Sequence, residues 1–235
     1  MAGVASGGRL IVALDQPSLA KALRVATRLR GVVRIVKIGS ILFTAEGPEA
    51  IRRVRALGFE VMLDLKFFDI PSTVEASMRA AVRHRARLVT LHASGGPAML
   101  KAAVAAAHSE ARRLRVPRPR LLAVTVLTSQ DAGRARATQA RVLQLAQQAR
   151  AAGCDGVVAS AQEARRLRAR LGRNALIVCP GIRPAGAARQ DQARIAEPRA
   201  ALAAGADLLV VGRPVTDASD PAQAARQIQA TMEGA

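Results

Sequence analysis

Eight short runs of aliphatic and β-branched residues recur along the chain, each followed by a longer stretch whose apolar residues fall at helical spacing. The runs occupy 9–14, 32–38, 59–65, 87–92, 121–127, 156–159, 176–179 and 207–211; the helical stretches occupy 18–29, 48–57, 72–85, 97–114, 140–152, 161–171, 198–204 and 221–232. Runs that are apolar throughout, rather than at alternate positions, belong to strands buried on both faces, as in a parallel sheet covered by helices. Gly31, Gly58, Gly153, Gly172 and Gly205 stand where helices should stop and short turns lead to the next strand. Eight such units in 235 residues, with no linker between them, predict a single (β/α)8 barrel over 1–235. An open dinucleotide-binding sheet is disfavoured, because the first run opens no G-x-G-x-x-G loop.

Charge appears where such runs should carry none. Asp64 and Lys66 lie two apart in the third run, so an ideal pleat turns both to one face, and Asp69 follows at the turn before Ile70-Pro71. Lys37 stands next to last in the second run. A charge leaving water costs several kcal/mol unless paired, so these groups must meet one another or a ligand. One reading is a structural salt-bridge cluster, with Asp69 capping the helix that Pro71 starts; the other is a catalytic site. Barrel enzymes draw their chemistry from the C-terminal strand ends, and polar residues gather there: Asp15, Lys37, Asp64 with Lys66, His92, Thr128, Arg183 and Arg213. His84 and His108 fall in helix patterns and are expected at the surface.

The seventh run continues into Cys179-Pro180-Gly181-Ile182-Arg183 and the eighth into Val211-Gly212-Arg213-Pro214. Glycine lets backbone N–H groups approach an anion, and the guanidinium offers two parallel donors to phosphate oxygens. Loops after strands seven and eight commonly hold phosphate in such barrels. The alternative is a pair of ordinary Gly-Pro turns with surface arginines.

Composition narrows the function classes. The net charge of +19 is carried mostly by arginines on predicted helix faces, while Trp and Tyr are absent and Phe numbers four. Bases would find few rings to stack on and no recognition motif is present, so no specific nucleic-acid partner is expected. No apolar stretch approaches the ~18 residues of a membrane span, and residues 1–8 lack the apolar region of a secretory signal, so a cytoplasmic protein is expected. Cys154 and Cys179 make neither a disulfide framework nor a metal-binding spacing.

Taken in order, Val12-Ala13-Leu14-Asp15, Val36-Lys37-Ile38-Gly39, Leu63-Asp64-Leu65-Lys66-Phe67-Phe68-Asp69-Ile70-Pro71-Ser72-Thr73, His92-Ala93-Ser94-Gly95-Gly96, 124–129, Pro180-Gly181-Ile182-Arg183, Asp191-Gln192 and Val211-Gly212-Arg213-Pro214 resemble the orotidine 5′-phosphate decarboxylase family over nearly the whole chain. The D-x-K-x-x-D-I-P run carries most of the specificity. The resemblance implies decarboxylation of orotidine 5′-phosphate to uridine 5′-monophosphate, the last step of de novo UMP synthesis. Lys37, Asp64, Lys66 and Asp69 would form the catalytic network, with Lys66 as proton donor. Asp15 and Lys37 would hold the ribose, and Thr128 the pyrimidine amide edge. Arg183, Gln192, Gly212 and Arg213 would bind or close over the phosphate, with 185–193 as the lid. Ile70 and Thr73 complete the implied substrate-binding set. Asp69 and Thr73 would reach the partner's site in a homodimer, and no metal or cofactor is implied. Phe68, Ser72 and Cys179 depart from residues frequent in the family, and 129–138 looks short. A sister barrel activity on sugar phosphates would share the Asp-Lys strand but would use Mg²⁺ and lack the combination of Lys37, Thr128 and Arg213.

Overall fold

The computed structural model describes residues 8–127, 135–184 and 195–233. Eight parallel strands close into a barrel in sequence order: β1 (Leu10–Ala13), β2 (Ile35–Gly39), β3 (Glu60–Phe67), β4 (Leu88–His92), β5 (Arg120–Val124), β6 (Gly156–Val158), β7 (Leu176–Cys179) and β8 (Leu208–Val211). The barrel closes where β1 pairs with β8, Leu10 opposite Leu209. The expected (β/α)8 architecture is therefore the one observed.

Around it lie α1 (Leu19–Leu29), α2 (Ser40–Glu46), α3 (Pro48–Ala56), α4 (Pro71–Arg83), α5 (Gly96–Leu114), α6 (Ala135–Ala151), α7 (Ala161–Leu171), α8 (Pro198–Ala203), α9 (Arg213–Thr216) and α10 (Pro221–Met232). Short polar side chains start several of them: Ser18 accepts from Lys21 N, Ser160 from Gln162 N, and Asp220 from Ala222 N and Gln223 N. Proline opens α3, α4, α8 and α10, where its missing N–H costs nothing. The five glycines expected at helix ends all have positive φ. The sequence pattern missed α2 and α9 and began α6 five residues late.

Two apolar layers fill the molecule. Residues such as Ile11, Ile35, Met62, Leu88, Leu122 and Val210 pack inside the barrel, while a second set, including Val12, Val36, Val61 and Val89, packs outward against the helices. Strand pleating separates the two layers, because neighbours in sequence point to opposite faces. Followed toward the strand ends, the inward series changes character: Ile11 and Ala13 lead to Asp15, Ile35 to Lys37, Met62 to Asp64 and Leu88 to Thr90. Polar groups thus surmount an apolar plug at one mouth. The expected solvated arginine faces are also present, as with Arg52 on Glu49, Arg79 on Glu75 and Arg113 on Glu110. Of the two helix histidines, His108 is exposed and His84 half-buried.

Strand β3 departs from the ideal pleat assumed for Asp64 and Lys66. Leu63 pairs with Val89 and Phe67 with Leu91, so Asp64, Leu65 and Lys66 together face Thr90 alone. Lys66 adopts φ 49°, a left-handed conformation uncommon outside glycine. The two side chains still meet, through a bulge rather than regular alternation.

Candidate active site

A cavity of about 620 Å³ opens at this mouth, lined by Asp15, Lys37, Asp64, Lys66, Arg183, Gly212 and Arg213 among others. The residues expected from five of the eight strand ends, β1, β2, β3, β7 and β8, thus share one cavity. It also takes in Thr216 at the end of α9 and Asp217 just after it, which carried no recognisable signal in the sequence.

The charged side chains form a continuous chain of contacts. Lys37 Nζ donates to Asp15 Oδ1 at 2.8 Å and Oδ2 at 3.0 Å, and lies 3.4 Å from Asp64 Oδ2. Lys66 Nζ donates to the same Oδ2 at 2.9 Å. Lys37 and Asp64 are buried, at 8% and 9% exposure, whereas Lys66 is partly open to the cavity. Burial alone would raise the Asp64 carboxyl, but Lys37 and Lys66, with hydrogen bonds from Lys66 and Thr90, outweigh it and hold the group below the usual carboxylate range. Asp64 is therefore an anion clamped between two cations. Gly39 permits the outer pair: a Cβ there would lie 2.7 Å from Asp15 Oδ1 and 2.9 Å from Lys37 Nζ.

Thr90, fully buried, donates to Asp64 Oδ1 at 2.9 Å and accepts from Lys66 N at 3.0 Å. Sequence reasoning missed it, although one polar residue inside an apolar strand next to β3 was a usable signal. His92 stands at the rim, edge-on to Phe68 with ring centroids 5.7 Å apart. Burial, then the Lys66 charge, lowers its pKa against the opposing pull of Asp64.

At the opposite side, Arg183 is buried at 6% exposure and Nη1 donates to Ile182 O, while Nε finds no hydrogen-bond partner among the described residues. Burial and the neighbouring Arg213 lower its pKa. Two guanidinium groups lining one cavity near each other favour an anion between them.

Three expected residues stand apart. Asp69, Ile70 and Thr73 are exposed and do not line the cavity of their own chain. Asp69 does not cap α4, whose N-cap is Ile70; its Oδ1 accepts from Ile70 N at 2.7 Å. The large exposed apolar side chains Ile41, Phe68 and Ile70 follow the ends of β2 and β3. Thr128, Gln192 and the lid segment 185–193 lie outside the described residues, apart from which no three His, Cys, Asp or Glu side chains come together as a metal site. Burial pushes the thiols of Cys154 and Cys179 up to about 12, away from the reactive thiolate form.

A barrel whose mouth joins a buried Asp-Lys network to a pair of arginines is of the class that acts on small phosphorylated anions. The sequence profile described as "Orotidine 5'-phosphate decarboxylase / HUMPS family" matches residues 8–228, and the chain belongs to that family. It is 47% identical to the orotidine 5'-phosphate decarboxylase of Moorella thermoacetica, across 96% of this chain and 92% of that protein. Identity to the protein of the same name from Halorhodospira halophila is 49%, across 97% of each. The crystal structure of orotidine 5'-phosphate decarboxylase from Lactobacillus acidophilus superposes with a TM-score of 0.82 at 33% identity, covering 97% of this chain and all of that one.

Proposed function

We propose that the protein decarboxylates orotidine 5′-phosphate to uridine 5′-monophosphate, the last step of de novo UMP synthesis, as a cytoplasmic homodimer without metal or organic cofactor. The observation that carries this reading is the contact chain Asp15–Lys37–Asp64–Lys66, facing Arg183 and Arg213 across one cavity. Phosphate would sit at the arginines, ribose at Asp15 and Lys37, and the scissile carboxylate above Lys66. Gly212 belongs with the phosphate loop, and Thr128 and Gln192 with the base and phosphate contacts.

The C6–carboxylate bond breaks with its electron pair left on C6, in an orbital that the ring π-system cannot absorb, and CO₂ departs. The Lys66 ammonium stabilises that charge and then transfers its proton to C6; solvent later reprotonates the amine. Asp64 keeps Lys66 charged and aimed. The phosphate is remote from the breaking bond, so its binding energy serves to position the substrate and close the site.

Asp69 and Thr73 complete the site of a second subunit in this reading. Their exposure, flanked by Phe68 and Ile70, supports it.

The deciding experiment follows the absorbance of orotidine 5′-phosphate with purified protein, before and after exhaustive chelation. Turnover that survives chelation is expected. No turnover would refute the assignment, and activity restored only by Mg²⁺ would favour a sister barrel reaction.

A further inference from the structure

We propose that Thr90 is a positioning residue for this reaction: its hydroxyl replaces the strand-ladder partner that the β3 bulge loses, and so fixes the Asp64 carboxylate and the Lys66 backbone in one arrangement. The proposal rests on the reading of Lys66 as proton donor.

The geometry is specific. Between the Leu63–Val89 and Phe67–Leu91 pairs, β3 spends three residues where β4 spends one, so regular ladder bonds cannot continue there. The Lys66 N–H would otherwise be left without a strand partner. It donates to Thr90 Oγ1 at 3.0 Å, and the same hydroxyl donates its own hydrogen bond to Asp64 Oδ1 at 2.9 Å. One oxygen therefore acts as acceptor and donor at once, as a hydroxyl can. Asp64 Oδ2 remains for the two lysines. Division of labour follows: Oδ1 orients the carboxylate and Oδ2 holds the ammonium groups. The left-handed Lys66 backbone is costly by itself and persists only if its surroundings hold it. Thr90 is fully buried and does not line the cavity, so it works through Asp64 and Lys66 rather than on substrate.

Thr90→Val keeps the volume and removes both hydrogen bonds, while Thr90→Ser keeps both. With the full-length protein, kcat and KM for orotidine 5′-phosphate, Kd for UMP, thermal midpoint, and the hydrogen-exchange rate of the Lys66 amide are measured for each. Thr90→Val should lower kcat by roughly 10- to 100-fold with UMP affinity within about threefold of wild type, and Thr90→Ser should restore kcat to within about threefold. Lys66 amide exchange should accelerate at least about tenfold in Thr90→Val while Val89 and Leu91 amides stay unchanged. A kcat unaltered in Thr90→Val, or kcat and UMP affinity falling together with the thermal midpoint, would overturn the proposal. If wild type itself fails to decarboxylate the nucleotide, the functional reading falls, and unchanged Lys66 exchange in Thr90→Val would still refute the positioning claim.

Discussion

Lys66 folds back on Asp64, two residues before it on the same strand, and its Nζ donates to Oδ2 at 2.9 Å. Asp69, three residues further on, is exposed and does not line the cavity that Lys66 and Asp64 share. If Asp69 serves a neighbouring subunit, two inactive chains can complement each other. Lys66→Ala should abolish turnover yet still bind UMP, because the phosphate contacts lie elsewhere, and Asp69→Ala should also be inactive. Refolded together, the two form mixed dimers carrying one site with both lesions and one with neither. Activity should recover to about a quarter of wild type by that two-fold counting. Mixed dimers that remain inactive would assign Asp69 to its own chain.

Arg213 is exposed at the start of α9, and Arg183 is buried beside it. If Arg213 holds the phosphate as proposed, removing it takes away a charge-assisted contact worth about 1.5–3 kcal/mol. Arg213→Ala should therefore raise KM for orotidine 5′-phosphate roughly 10- to 100-fold by that energy, with a much smaller effect on orotidine, which has no phosphate. Equal losses with both compounds would place Arg213 outside the phosphate site.

Gly39 matters for space. In Gly39→Ala the new methyl would stand 2.7 Å from Asp15 Oδ1 and 2.9 Å from Lys37 Nζ, forcing the pair apart. KM should rise about tenfold, a loss near 1.4 kcal/mol, while circular dichroism stays that of the folded barrel. A KM equal to that of wild type would show that the pair tolerates separation.

Acid sensitivity follows from two carboxylates. Asp64 is held below the usual range for the reasons given above; at Asp155, burial is outweighed by hydrogen bonds from Arg118 and Leu121 N. A depressed folded pKa contributes stability that is complete above the unfolded value near ~4 and is lost as pH falls through the folded value. The thermal midpoint should be flat above about pH 5 and fall below about pH 4. Asp155→Asn should cost about 1–3 kcal/mol at pH 7 and shallow the acid decline. An unchanged acid slope in that variant would remove Asp155 from the account.

The strand–helix rhythm and the glycine stops were legible because both rest on local chemistry: apolar runs buried on two faces, and left-handed residues at helix ends. Asp15, Lys37, Asp64 and Lys66 were legible as charges where an apolar strand should continue. The bulge was not, since register between β3 and β4 is decided by pairing across the barrel, and Leu63 to Phe67 reads as an ordinary strand in isolation. Thr90 showed as a polar residue in an apolar run, but its role was not legible because it exists only opposite the bulge. Helix α9, four residues long, is shorter than the window over which a helical period can be recognised, and α2 starts at Ser40 directly after β2 ends at Gly39, with no turn between them.

Closure of the barrel by β8 has a consequence for synthesis of the chain. Asp15 and Lys37 belong to the first strands and Arg213 to the last, and β8 must slot between β7 and β1 before they share a cavity. A nascent chain on the ribosome that has not yet released β8 carries two raw strand edges, on β1 and β7, and no assembled site. Until then it is silent as an enzyme and is at its most vulnerable to pairing with other unfinished chains.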